Sequence, residues 1–173
     1  IKKNIKNCLI YIGSNDKFNV CEKILKHLIK YTNWSFSIIL GLNHPFEEKI
    51  IIEYSNNLRC NIKKIVNNMD EFLYQSDIVY GTCGISQWER SIVGIPTVLI
   101  CNAHNQYEDS LILLEKKCTF FLGNSNSLTA NKISNSVEYM KDQLTRKKIS
   151  KNSQKIFTNH SRIKRKLINE IFK

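Results

Sequence analysis

At 173 residues, with 42% hydrophobic and 10% aromatic content, the chain is long enough to bury one core and has the composition of an ordinary globular domain. Its longest apolar runs are strand-sized, far short of the ~20 residues that a membrane-spanning helix needs, and the charged start Ile1–Asn7 does not read as a signal peptide. The net charge of +11 is concentrated at one end: residues 145–173 hold ten of the 26 basic residues and one of the 15 acids, which leaves 16 basic against 14 acidic residues, about +2, for everything before them.

Apolar periodicity gives alternating strands and helices in chain order. Cys8–Ile12 is a first strand, and Gly13-Ser14-Asn15-Asp16 after it supplies a turn and a helix cap. Val20 to Ile29 then places Val20, Ile24, Leu25, Leu28 and Ile29 on one helical face. Phe36–Leu40 is a second strand, stopped by Gly41 and followed by a helix over Pro45–Ser55. Ile62–Val66 is a third strand and Met69–Gln75 a short helix. Ile78–Tyr80 is a fourth strand ending at Gly81, followed by a helix that starts near Ile85 and is halted by Gly94-Ile95-Pro96. Thr97–Cys101 is a fifth strand, Gln106–Lys116 a helix and Thr119–Leu122 a sixth strand. Helices over Ser127–Lys141 and Lys147–Phe172 complete the chain.

Strands separated by helices require parallel pairing with right-handed crossovers. The expected fold is therefore α/β, a Rossmann-like doubly wound parallel sheet of about six strands with C-terminal helices. Residues 1–145 form the domain, and 146–173 form a basic helical tail packed on it, with Ile149, Ile156, Ile163, Leu167 and Ile171 at helical spacing. The six cysteines, Cys8, Cys21, Cys60, Cys83, Cys101 and Cys118, show no metal-type spacing and read as small core residues in a reducing, cytoplasmic setting. No metal or cofactor is expected. The chain begins with Ile rather than Met, which reads as a domain taken from a longer protein.

In a doubly wound sheet ligands sit beyond the carboxyl ends of the strands, so function is sought in the loops after strands one, three, four and five. Gly81-Thr82-Cys83-Gly84-Ile85-Ser86 runs from an apolar strand straight into a helix. Small residues there allow close backbone approach, and the helix start offers unpaired N–H groups and the positive end of a dipole, which suits phosphate. Ser86 adds a hydroxyl. Glu89, one turn further on, is placed to accept both hydroxyls of a ribose; the structural alternative is an ion pair with Arg90 or a nearby Lys. Gly13 and Ser14 in the first loop converge on the same crevice, which would suit a diphosphate. Neither loop matches the dinucleotide or P-loop glycine patterns. Asn105 and Gln106 after strand five could meet sugar hydroxyls or simply cap a helix. His104 is the histidine nearest this edge and reads as solvated; His27 and His44 have no partner evident in the sequence, and Trp88 reads as core.

The order Gly13-Ser14-x-Asp16, Asp77-Ile78-Val79, Gly84-x-Ser86-x-Trp88-Glu89-Arg90, Gly94-Ile95-Pro96 and Asn105-Gln106 resembles the C-terminal half of the PseG-like family. Those are pseudaminic-acid pathway UDP-sugar hydrolases with spore-coat polysaccharide relatives, in turn similar to MurG-type glycosyltransferases of the two-domain GT-B class. The resemblance covers nearly the whole chain and is sharpest from Ser76 to Lys117. It implies that this half binds the UDP of a UDP-amino-deoxy sugar. Ile85 and Ser86 would meet the diphosphate, Glu89 the ribose, Asn67 and Met69 the uracil edge. Gly13 and Ser14 would close over the phosphates, with Asn105 and Gln106 near the sugar. Two departures stand out: Ile12 replaces a glycine before the first serine, and the family's Gly-Gly-Ser step reads Cys83-Gly84-Ile85-Ser86. The family's catalytic histidine lies in a Gly-x-Gly-His loop of an N-terminal domain, and no such loop occurs in this chain, so catalysis would need that partner domain. Hydrolysis and glycosyl transfer share the same UDP leaving group, leaving a GT-B donor-binding half as the alternative. A second class of function, a non-catalytic basic module that binds nucleic acid through residues 145–173, is disfavoured because only five of the basic residues are Arg.

Overall fold

The computed structural model describes residues 1–156. Six strands, β1 (Asn7–Tyr11), β2 (Ser35–Leu40), β3 (Cys60–Lys64), β4 (Ile78–Thr82), β5 (Thr97–Cys101) and β6 (Phe120–Asn124), alternate with helices α1 (Val20–Tyr31), α2 (Glu47–Tyr54), α3 (Met69–Gln75), α4 (Ile85–Val93) and α5 (Tyr107–Glu115). Helices α6 (Ala130–Lys141) and α7 (143–156) follow. All strand pairs are parallel, in the order β3-β2-β1-β4-β5-β6. The Rossmann-like doubly wound sheet is as the sequence predicts. The chain winds outward from β1 to β3 and then crosses back to β4, so the strand order reverses between β1 and β4.

Period-two alternation in the strands sorts the core into two faces. Cys8, Ile10, Ile78, Tyr80, Val98 and Ile100 point to a large cluster completed by Leu25 and Leu28 of α1 and by Val137 of α6. Leu9 and Val79 point the other way, to Leu73 of α3, and Leu99 joins Leu113 of α5 on the same side. Five of the six cysteines are buried, as expected of small core residues, and Cys60 is half-buried.

The limits of β1, β2 and β6 shift by one or two residues from those expected, and those of β3 and β4 differ for tertiary reasons. β3 lies two residues earlier than the apolar pattern suggests, because its limits are set by pairing with β2, Phe36 opposite Cys60 through Leu40 opposite Lys64. It is an edge strand, largely exposed, and Ile65 after it adopts a left-handed φ of 43° that ends the pairing. β4 does not end at Gly81 but runs on to Thr82.

The basic tail begins as a structural element. Arg146 is buried, so it belongs to no solvated basic face. Its guanidinium donates to the carbonyls of Met140 and Lys141 at the end of α6 and to those of Lys2 and Lys3, both at 2.8 Å. Ile149 is buried in the larger cluster, and Ile156 packs against the cluster of Cys83, Leu99, Leu113 and Cys118. Ile163, Leu167 and Ile171 lie outside the described residues. No helix among the described residues is long and apolar enough to cross a membrane.

Asp77 anchors the opposite end of the sheet. Its carboxylate accepts the backbone N–H of Lys6 (2.8 Å) and Asn7 (2.9 Å) and pairs with the Lys2 ammonium at 2.9 Å. Burial pushes its pKa up, but these N–H groups and Lys2 outweigh it and hold the carboxyl below its usual value. A carboxyl depressed in the folded state stabilises above its unfolded pKa of about 4, and that stability is lost as pH falls through the folded value. Asp77→Asn should therefore cost about 1–2 kcal/mol at pH 7 by urea denaturation, and the gap to wild type should narrow below about pH 4. An equal gap at pH 7 and pH 3 would contradict this role.

Candidate functional site

The carboxyl ends of β1, β4 and β5 carry loops that meet at the point where strand order reverses. Asn102, directly after β5, ties them together. Its side-chain amide donates to the carbonyls of Ile12 (3.5 Å) and Asn15 (3.3 Å) in the loop after β1. Its backbone N–H donates to Gln106 Oε1 at 3.2 Å. The Nε2 of Gln106 in turn faces Gly84, 4.0 Å from where a Cβ would stand on that glycine. Gly13, Gly84 and Gln106 are thus brought to one edge, as the sequence suggests. Asn102 itself carries no signal in the sequence. The Cys101-Asn102-Ala103 step looks like a plain strand end, and its role depends on a loop ninety residues earlier in the chain. Its Oδ1 is buried without a hydrogen-bond partner among the described residues.

The loop after β1 is built on a buried carboxylate. Asp16 is fully buried and accepts the N–H groups of Val20 (2.7 Å) and Cys21 (2.8 Å), so the positive end of α1 is occupied by the protein's own anion. The start of α1 is therefore already satisfied and offers no free N–H of Val20 or Cys21 to a ligand. His44 is also buried, with Nε2 3.4 Å from Asp16 and Nδ1 accepting the N–H of Phe46. The sequence shows no partner for His44 or His27; the structure sets His44 Nε2 within 3.4 Å of Asp16, though without a hydrogen bond among the described residues, and joins His27 to Ser134 at 2.9 Å. Ile12 turns its side chain into the core, so its bulk does not narrow the loop.

The loop after β4 is different. Gly84 precedes α4 in extended conformation and exposed, and no side chain caps the helix. Behind the first turn lies Arg90, only 1% exposed. Its guanidinium donates to the Thr82 carbonyl (2.5 Å), to Gln87 Oε1 (2.8 and 3.3 Å) and to Ser86 Oγ (3.0 Å). All these acceptors are neutral, and among the described residues no carboxylate lies within ion-pair distance of Arg90. The ion pair between Arg90 and Glu89 considered from the sequence is therefore not formed. Burial lowers the Arg90 pKa to about 10, against weaker opposing effects of Cys83, Glu89 and Tyr11. The group stays charged at neutral pH. Gly81 makes room for it: a Cβ on Gly81 would stand 2.8 Å from Nη1. That is why a glycine sits inside β4 rather than at its end.

Ser86, Glu89 and Arg90 border a narrow packing gap between α3 and α4, too tight to admit a water molecule, together with Met69, Leu73 and Tyr11. Met69 is half-buried there against the core; Glu89 is exposed at the rim. Asn67 is exposed in the loop after β3 and does not border this gap. Asn105 is exposed in the 3-10 turn that precedes α5. His104 of that turn lines a neighbouring depression of about 350 Å³ with Asn102, Phe18 and Asn124. Trp88, read as core from the sequence, is instead 42% exposed at a groove between α4 and α5.

A family model described as "Protein of unknown function (DUF354)" matches residues 5–162. The chain is 28% identical over 121 residues to the uncharacterized protein MJ1062 of Methanocaldococcus jannaschii, covering 66% of this chain and 25% of that protein. In structure it is similar to MurG of Acinetobacter baumannii, with a TM-score of 0.69, 13% identity, and 90% of this chain matched to 46% of that one. The spinosyn rhamnosyltransferase SpnG complexed with thymidine diphosphate gives a TM-score of 0.71 at 13% identity over 90% and 42% of the two chains. The UDP-GlcNAc 2-epimerase of Neisseria meningitidis bound to UDP-GlcNAc gives 0.65 at 20% identity over 92% and 45%. The chain thus spans a quarter of MJ1062 and under half of each of these structures. At these identities the likeness establishes a fold shared with halves of glycosyltransferases and an epimerase.

Proposed function

The chain belongs to the DUF354 family, and from that premise we propose that it is the nucleotide-holding half of a GT-B-type enzyme acting on a nucleoside-diphosphate sugar. The observation that carries this reading is Arg90. A buried guanidinium without a carboxylate, set behind an uncapped helix start, leaves a positive charge that a diphosphate at that helix start would neutralise. The loops after β1 and β5 meeting at the same edge support it. So does the fold shared with chains whose described ligands are UDP-GlcNAc and thymidine diphosphate.

In finer detail we take the nucleotide to be UDP and the sugar an amino-deoxy sugar, as the PseG-like motif order implies. The diphosphate lies over the backbone of Gly84, Ile85 and Ser86, with Gly13 and Ser14 closing from the other side. Glu89 accepts the ribose hydroxyls, Met69 lies against the uracil and Asn67 meets its edge. Asn105 and Gln106 reach the sugar. This half stabilises UDP as it leaves, a service equally suited to hydrolysis or to glycosyl transfer. A histidine from an N-terminal domain would activate water in the hydrolase reading, with cytoplasmic surface-polysaccharide or nonulosonic-acid synthesis as the setting.

Titration calorimetry with UDP tests the reading. UDP should bind, and Glu89→Ala should weaken it about tenfold by removing a charged acceptor of two hydroxyls, while UDP and TDP should differ less than UDP and UMP. A folded protein that ignores UDP and TDP would refute the proposal.

A further inference from the structure

Arg90 poses a question of proton placement that the nucleotide site leaves open. A guanidinium has donors and no acceptor. The hydrogen in the 3.0 Å contact between Arg90 Nη1 and Ser86 Oγ therefore belongs to Arg90, and Ser86 is the acceptor. The hydroxyl proton of Ser86 must then point elsewhere. Among the described residues, Ser86 Oγ makes no other hydrogen bond. The side chain stands half-buried on the first turn of α4, two residues after the exposed Gly84.

Arg90 is itself held rigidly. Gln87 Oε1 accepts from both Nε and Nη2, and the Gln87 amide is fixed in turn by donating to Ser91 Oγ at 3.2 Å. The Thr82 carbonyl takes another donor. Gly81 leaves no space to spare on the sheet side, since a Cβ there would stand 3.1 Å from Cζ. The guanidinium cannot swing away to release Ser86.

We propose that Arg90 is a positioning residue: it fixes Ser86 as an acceptor on the protein side, so that the hydroxyl presents its proton outward as a donor to a phosphate oxygen of the bound ligand. Arg90 never touches the ligand. It acts through Ser86 and through its charge, which strengthens that donor in a poorly solvated setting. The inference rests on the nucleotide-holding reading above and adds to it the residue that sets the polarity of the serine.

The test is a double-mutant cycle read by calorimetry with UDP and uridine. Arg90→Gln and Ser86→Ala should each weaken UDP binding about tenfold and leave uridine binding unchanged. Because both remove one coupled donor, the double variant should bind UDP no more weakly than about twice the worse single variant. Additive losses, or a parallel loss of uridine binding, would overturn the role. Should Arg90→Gln not fold, Ser86→Thr, which keeps the hydroxyl, should hold UDP affinity within about threefold of wild type where Ser86→Ala does not. Ser86→Thr as weak as Ser86→Ala would overturn it too. A wild-type protein that binds no UDP defeats the nucleotide reading itself; one that binds UDP with additive variants defeats only Arg90's role.

Discussion

Gly41→Ala should destabilise the protein by about 2–3 kcal/mol and at the same time weaken UDP binding at least tenfold. Gly41 follows β2, which is hydrogen-bonded on both sides and cannot retreat. A Cβ there would stand 2.5 Å from Ser14 Oγ, 2.7 Å from Ser14 N and 2.9 Å from the carbonyl carbon of Gly13. The hydroxyl could turn aside, but the two backbone atoms could not. The loop after β1 would have to move, and Asn102 grips it from the far side at Ile12 and Asn15. Either those bonds break or the strand shifts. A loss of this size in a chain of this length should lower the Tm by roughly 4–10 °C. Thermal unfolding and UDP calorimetry on the same variant provide the check. Wild-type values for both would show that the first loop has slack that these contacts deny.

Arg146→Met should cost about 3–4 kcal/mol with little direct effect on the nucleotide edge. The methionine keeps the apolar stem but leaves four carbonyls without their donor, two at the end of α6 and two in the N-terminal segment. Arg146 is the link that joins residues 2 and 3 to the start of α7. Its loss should expose the N-terminal segment to trypsin well before the core unfolds. Limited proteolysis followed by mass analysis would detect cleavage at Lys2, Lys3 or Lys6. Unchanged protection together with unchanged denaturant stability would rule out the clamp. Lysine at this position should not rescue fully, because one ammonium cannot serve four acceptors in the plane of a guanidinium fork.

Much of this architecture is written in local pattern. Unbroken apolar runs at Cys8, Leu9 and Ile10 and at Ile78, Val79 and Tyr80 announce strands buried on both faces. Turn residues between the apolar runs announce the crossovers. Parallel pairing follows because each connection contains a helix. The edge of the sheet where ligands gather follows from the same logic, which is why Gly13, Gly84 and Gln106 can be named before any coordinates and then lie together.

The limits of local pattern are equally physical. Ile65 and Val66 look like strand, yet an edge strand takes its register from its neighbour, and β2 pairs with Cys60–Lys64 instead. Trp88 looks like core by composition, but its helix turns it to a groove. His44 and Asp16 are 28 positions apart and His27 and Ser134 are 107 apart, so nothing in either neighbourhood signals the contact.

The sequence by itself determined the order of elements, the parallel sheet and the polar edge, because these depend on periodicity and on residues adjacent in the chain. Only the tertiary structure decided what stands behind that edge. It buried Arg90 without a carboxylate, set Gly81 within β4 to admit it, gave the start of α1 to Asp16 and made Asn102 the tie between loops. Each of these depends on which groups water is kept from and on what meets them there. Burial and contact between distant segments arise only when the chain has closed on itself.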